Sequence, residues 1–199
     1  MNLQVFLGIS ATAIAFISYI PYFRDIFLGK TKPHAISWFI WGILTAIGFF
    51  GQVYDNGGPG AWVTGFTALI AFFIFVAALK KGEKNIVLID WLSLAGALLA
   101  LLLWYVTKTP LFSVILITVV DIFGFIPTFR KSYMKPHQET LITYFLSGLK
   151  FFIALFALSN LTVITSFYTI SLIVMNWVFI IFAYIRRHQL NLNPIQSKE

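Results

Sequence analysis

Seven apolar runs, each about 18–23 residues long, fill almost the entire chain and leave only short polar loops between them. They cover residues 3–23, 36–54, 61–79, 86–106, 110–128, 139–158 and 162–185. As a helix rising ~1.5 Å per residue, each run matches a hydrocarbon core about 30 Å thick. Lipid offers no partner to backbone N–H and C=O groups, so a run of this kind crosses a bilayer as a helix with its bonds closed internally. The expected fold class is therefore an all-α integral membrane protein with seven transmembrane helices. Of the 199 residues, 59% are hydrophobic and 11% charged, which leaves no room for a separate soluble domain.

The net charge of +7 is informative through its placement. Arg24, Lys30 and Lys32 follow the first run, Lys80, Lys81 and Lys84 the third, Arg130, Lys131 and Lys135 the fifth, and Arg186 and Arg187 the seventh. The intervening loops are nearly free of basic residues, with only Lys108 after the fourth run. The positive-inside rule puts the N-terminus outside and the C-terminus in the cytoplasm of a plasma or inner membrane. Charge confined to short interhelical loops argues against a nucleic-acid partner; membrane lipids are the surroundings these runs require. With no cysteine, disulfides and thiolate chemistry are excluded.

The chain writes one short string twice. Tyr19-Ile20-Pro21-Tyr22-Phe23-Arg24 leads to Lys32-Pro33-His34, and Phe125-Ile126-Pro127-Thr128-Phe129-Arg130 leads to Lys135-Pro136-His137. The flanking apolar pattern repeats as well, so the string marks an internal duplication with Pro21, Arg24, Pro127 and Arg130 as its fixed points. Each copy reads as a helix end, a basic turn and the next helix start, with Pro withdrawing a backbone donor near that end. A three-helix unit ends on the side opposite its start, so one extra helix must intervene for a second unit to run parallel to the first. This yields two parallel three-helix repeats joined by a linker helix. Residues 1–85 form the first unit, 86–108 the linker, 109–187 the second unit, and 188–199 a polar cytoplasmic tail.

Helix periodicity sorts the polar residues within the runs into stripes. Ser37, Trp41, Thr45, Gly48 and Gln52 share a face of the second run; Thr143, Ser147 and Lys150 share one of the sixth. Thr64, Thr67 and Ala71 do so in the third, where small residues read as close helix packing. Asp121, Lys150 and Asn176 each lie nine or ten residues from a basic boundary, about 13–15 Å deep and close to the membrane midplane. Ionisable residues at that depth face cavities and mark solute or ion pathways. Asp121 and Lys150 are therefore read as an ion pair, structural or coupling. Asp90 reads as a helix cap, and His34 and His137 as interfacial residues. There is no His/Glu metal spacing and no activated nucleophile, so neither an enzyme, a metal site nor a cofactor is expected.

The stretch from Pro21 to Ser37 resembles the PQ-loop motif of the SWEET and PQ-loop superfamily: a Pro-Gln pair, a basic turn, and a small hydroxyl residue opening the next helix. Tyr22 and Thr128 stand where that motif has Gln, and Ser37 and Thr140 supply the hydroxyl. The resemblance implies a transporter that moves a small polar solute by alternating access through a midplane cavity. It implies that Asn176 faces the solute, with Trp41 and Tyr144 as an aromatic cavity wall; Thr45, on the stripe of Trp41, is expected to bind the solute beside them, and the sequence leaves a homo-oligomer open. The KDEL-receptor family has the same 3+1+3 plan, so a seven-helix receptor binding a peptide or small ligand is the alternative.

Overall fold

In a computed structural model, residues 2–107 and 110–192 are described; Lys108 and the end of the tail from 193 onward lie outside them. The described residues form seven α-helices and one short 3-10 turn, with no strand. The helices are α1 Leu3–Phe27, α2 Ala35–Tyr54, α3 Gly60–Lys81, α4 Leu88–Thr107, α5 Pro110–Met134, α6 Leu141–Ala157 and α7 Val163–Leu192. The turn Pro136–Gln138 sits between α5 and α6. Four helices, α1, α2, α3 and the Thr165–Leu190 part of α7, are long and apolar enough to cross a membrane. The chain is a helical membrane protein.

Local chemistry places the helix ends. The Asn2 side chain accepts from the Gln4 N–H at 3.2 Å and opens α1. Gly29, at φ +72°, takes the left-handed conformation just past the end of α1, where a Cβ would be strained. Asn56 does the same after α2 at φ +55°. Asp90 caps α4: its Oδ2 accepts from the Val87 N–H at 2.9 Å, one turn back.

Two boundaries differ from the sequence reading. Neither Pro21 nor Pro127 closes its helix. α1 runs on to Phe27 and α5 to Met134, with the prolines inside. Each removes a single ladder bond, and close neighbours hold the remaining turns together. The second difference is at the tail. α7 continues past Arg186 and Arg187 to Leu192, so 188–192 belong to the helix. The guanidinium groups hold it there: Arg187 donates to the Pro136 and Glu139 carbonyls at 3.0 and 2.6 Å, and Arg186 to the Tyr133 carbonyl at 2.8 Å.

Loop contacts define two ends. At the basic end, the Glu83 N–H donates to the Pro33 carbonyl at 3.0 Å, Lys131 Nζ to the Lys32 carbonyl at 2.7 Å, and Arg130 to the Asn85 carbonyl at 2.8 Å. At the opposite end, the Ser159 N–H donates to the Gly57 carbonyl at 3.0 Å and Gln4 Nε2 to the Leu158 carbonyl at 3.4 Å. The helices accordingly alternate in direction. α3 packs against both α1 and α2, and α7 packs against both α5 and α6. These two sets meet where α1 packs on α6 and α2 on α5, while α4 leans on the outside of α5. Large apolar side chains such as Leu69, Phe73, Val76, Phe156 and Ile181 point outward, and Thr, Ser, Asp and Lys point in. This polarity suits an apolar solvent.

Candidate functional site

A cavity with about 40 Å³ of water-accessible volume lies among the six helices of the two sets. That is room for about three water-sized groups. Its walls include Tyr19 of α1, Trp38, Trp41 and Thr45 of α2, Thr67 of α3, Asp121 and Phe125 of α5, Tyr144 and Ser147 of α6, and Asn176 of α7. Trp41, Thr45, Tyr144, Asn176 and Asp121, expected on the cavity from the sequence, are thus all found there. Thr67 joins them, so the third helix's polar stripe does more than pack.

Three of the lining polar side chains are occupied by their own helix. Thr45 Oγ1 donates to the Trp41 carbonyl at 2.6 Å, Thr67 Oγ1 to the Val63 carbonyl at 2.7 Å, and Asn176 Nδ2 to the Leu172 carbonyl at 2.7 Å. Aromatic rings form the rest. Trp41 stacks edge-on to Trp38 at 5.2 Å between centroids and to Phe125 at 4.6 Å. The Trp41 indole nitrogen fits against Gly124 of α5, where an added Cβ would lie 2.7 Å from it.

The charged residues are arranged differently from the expected pair. Lys150 Nζ donates to Tyr19 Oη at 2.9 Å and Thr67 Oγ1 at 3.0 Å, and it lies 4.4 Å from the centre of the Tyr19 ring. Asp121 is fully buried, and among the described residues no donor reaches either of its carboxylate oxygens. Asp121 and Lys150 do not form an ion pair. α5 and α6 are not packing neighbours: Lys150 extends toward α1 and α3, whereas α5 packs on α2, α4 and α7.

Polar clusters whose pairings the sequence reading missed tie the two helix sets together toward both ends. At the basic end, Tyr22 and Tyr144 both donate to Glu139 Oε2, at 3.3 and 3.2 Å, and Trp38 Nε1 donates to Tyr22 Oη at 3.1 Å. Glu139 also forms a buried ion pair with Lys131. Beside it, Thr128 Oγ1 donates to Ser37 Oγ at 2.8 Å. Tyr22 and Thr128 occupy the same place in the two copies of the string, and each reaches the start of a helix in the other set. At the opposite end, Gln52 Nε2 donates to Thr169 Oγ1 at 3.0 Å and to the Thr165 carbonyl at 3.3 Å, and Thr162 Oγ1 bonds the Asp55 carboxylate.

The two motif arginines have separate surroundings. Arg130 grips Asp90 through both oxygens, Nε to Oδ1 at 2.9 Å and Nη2 to Oδ2 at 2.7 Å. Arg24 is 67% exposed, with Asp25 at 3.9 Å as its one ion-pair partner among the described residues. His34 is buried, in contrast to its interfacial assignment. Its Nε2 lies 3.3 Å from Asp90 Oδ2, close enough for Coulomb attraction but not aligned as a hydrogen bond. His137 is exposed, as expected of an interfacial turn.

In comparisons with known proteins, no family model, curated protein or solved structure matches this chain.

Proposed function

We propose that this protein is a SWEET-like transporter that passes a small polar solute by alternating access between two parallel three-helix units. The observation that carries the reading is the cavity: polar and aromatic, set between two sets of helices, and closed toward each end by bonds between the sets. Such a site needs only one closure to open at a time. Helix pairing supports the duplication. Exchanging α1, α2 and α3 for α5, α6 and α7 turns each packing pair among these six helices into another. α1 on α6 becomes α5 on α2, and α3 on α2 becomes α7 on α6. The extra helix α4 takes the linker's place outside this pattern.

In this reading the structure corresponds to the occluded form. Opening the basic end releases Tyr22, together with the Trp38 N–H that it accepts, from Glu139; opening the other end releases Gln52 from α7. The basic end faces the cytoplasm. Solute flux into liposomes carrying the purified protein tests the proposal. Ligand binding without flux of any bound solute would refute it in favour of a receptor. Orientation is tested by single cysteines at Lys30 and Lys81, expected to label from the cytoplasmic side, and at Tyr54 and Asn160, expected to label from outside. Labelling of all four from one side overturns the topology.

A further inference from the structure

We infer, resting on the transport reading, that the solute is a compact zwitterion whose ammonium group binds Asp121 and whose carboxylate is received at the Tyr19 wall backed by Lys150. Two opposite charges serve one cavity without neutralising each other. Asp121 faces it from α5, fully buried, with no donor to either oxygen among the described residues. A carboxylate so placed is costly unless a cation or proton meets it. Lys150 stands behind the wall formed by α1 and α3, with its ammonium on Tyr19 Oη and Thr67 Oγ1, both lining residues. Because Tyr19 Oη accepts from Lys150, its own proton points to an acceptor on the cavity side, where Ser147 is its hydroxyl neighbour and a solute carboxylate would be the stronger acceptor. Phe125 stands one helical turn after Asp121 on α5 and packs on Trp41 at 4.6 Å, and ring faces attract an ammonium group.

A simple cation would meet Lys150 as a like charge, and a simple anion would meet Asp121. A neutral sugar would leave both charges unmatched. A dipolar molecule satisfies both walls together. The cavity's 40 Å³ limits it to something near the size of an amino-acid head group.

The test uses the full-length purified protein and four matched probes: glycine, ethanolamine, propionate and glucose. Calorimetry is expected to find binding of glycine, with ethanolamine and propionate each weaker by about tenfold or more, since each leaves one wall unmatched. Asp121→Asn and Tyr19→Phe are each expected to weaken glycine by a similar factor. Both keep side-chain shape, so their folding can be verified by an intact melting transition. Ethanolamine or glucose binding better than glycine, or glycine binding unaffected by both variants, overturns the inference. Glycine binding that depends on both residues but gives no liposome flux upholds the site and refutes transport. Flux of glucose with no glycine binding upholds transport and refutes the zwitterion.

Discussion

The Tyr22 hydroxyl donates to Glu139 Oε2 across 3.3 Å and fastens α1 to the turn ahead of α6. Tyr22 Oη in turn accepts the Trp38 indole N–H at 3.1 Å, so one hydroxyl joins three elements around a buried carboxylate. Glu139 is stabilised by Lys131, whose ammonium also donates to the Lys32 and Gln138 carbonyls at 2.7 and 3.1 Å. The closure at the basic end is therefore a complete polar network, in which each lost member leaves others unpaired.

Tyr22→Phe follows from that arrangement. It deletes one donor and leaves the Trp38 N–H without an acceptor, at a cost of roughly 2 kcal/mol to the closed end. A cysteine at Thr45, on the cavity wall, is expected to react with a membrane-impermeant maleimide from the basic side at least several-fold faster in the Tyr22→Phe background. An unchanged rate would show that this hydroxyl does not hold the end closed.

The two copies of the arginine string are predicted to differ sharply. Arg130 makes a two-pronged contact with a buried carboxylate that also caps α4. Arg130→Met leaves the buried Asp90 with the Val87 N–H and His34 but no guanidinium, and loss of about 3 kcal/mol is expected. Arg24→Met removes a mostly exposed side chain and should change stability by less than about 0.5 kcal/mol. Chemical denaturation in detergent measures both. Equal effects would mean that the Asp90 clasp does not contribute as its geometry indicates.

His34 lies in the loop before α2 and makes stability depend on pH. Burial lowers its pKa below the ordinary histidine value of 6.5; attraction to Asp90 opposes this, and Arg130 and Lys131 add to the lowering. The unfolded chain then takes up the proton first. Stability is full above about pH 6.5 and is lost as pH falls from there toward the lowered folded value, by at most about 1.4 kcal/mol per pH unit. A melting-temperature series from pH 8 to pH 5 should fall less steeply for His34→Gln than for the parent chain. Identical slopes would remove His34 as the cause.

The sequence was most readable where one physical rule acted alone. Apolar run length located all seven helices, because lipid leaves a backbone few alternatives. Helical period grouped Trp41 with Thr45 and gave Asp121 and Asn176 a polar face each, since only polar faces gain by turning inward; Tyr144 came from the family resemblance alone, and all five line one cavity. Tertiary partners were not readable. Pro21 and Pro127 signalled helix ends, yet packing carried both helices past them. His34 seemed interfacial because its loop is basic; the buried carboxylate of Asp90, 56 positions on, draws it inward. Glu139 and Lys131 lie eight apart in the chain, with nothing in their spacing to announce a pair. Tyr22 carried the one usable hint, since it fills the place of the motif's Gln.

The separation of Asp121 from Lys150 gives the sharpest test. A direct ion pair would make either single substitution strongly destabilising and the double substitution cheaper. Here the two side chains have independent surroundings. Asp121→Asn removes a buried charge that no protein donor reaches, and a gain in melting temperature is expected in the absence of solute. Lys150→Met removes the donors to Tyr19 and Thr67 but also a buried cation with only neutral partners, so its net cost should stay below about 2 kcal/mol. The double variant should equal the sum of the singles within about 0.5 kcal/mol, as for residues without a shared contact. A coupling above about 1 kcal/mol would mean that the two charges meet directly in the resting protein. In that case the cavity would hold a closed pair and not two separate walls.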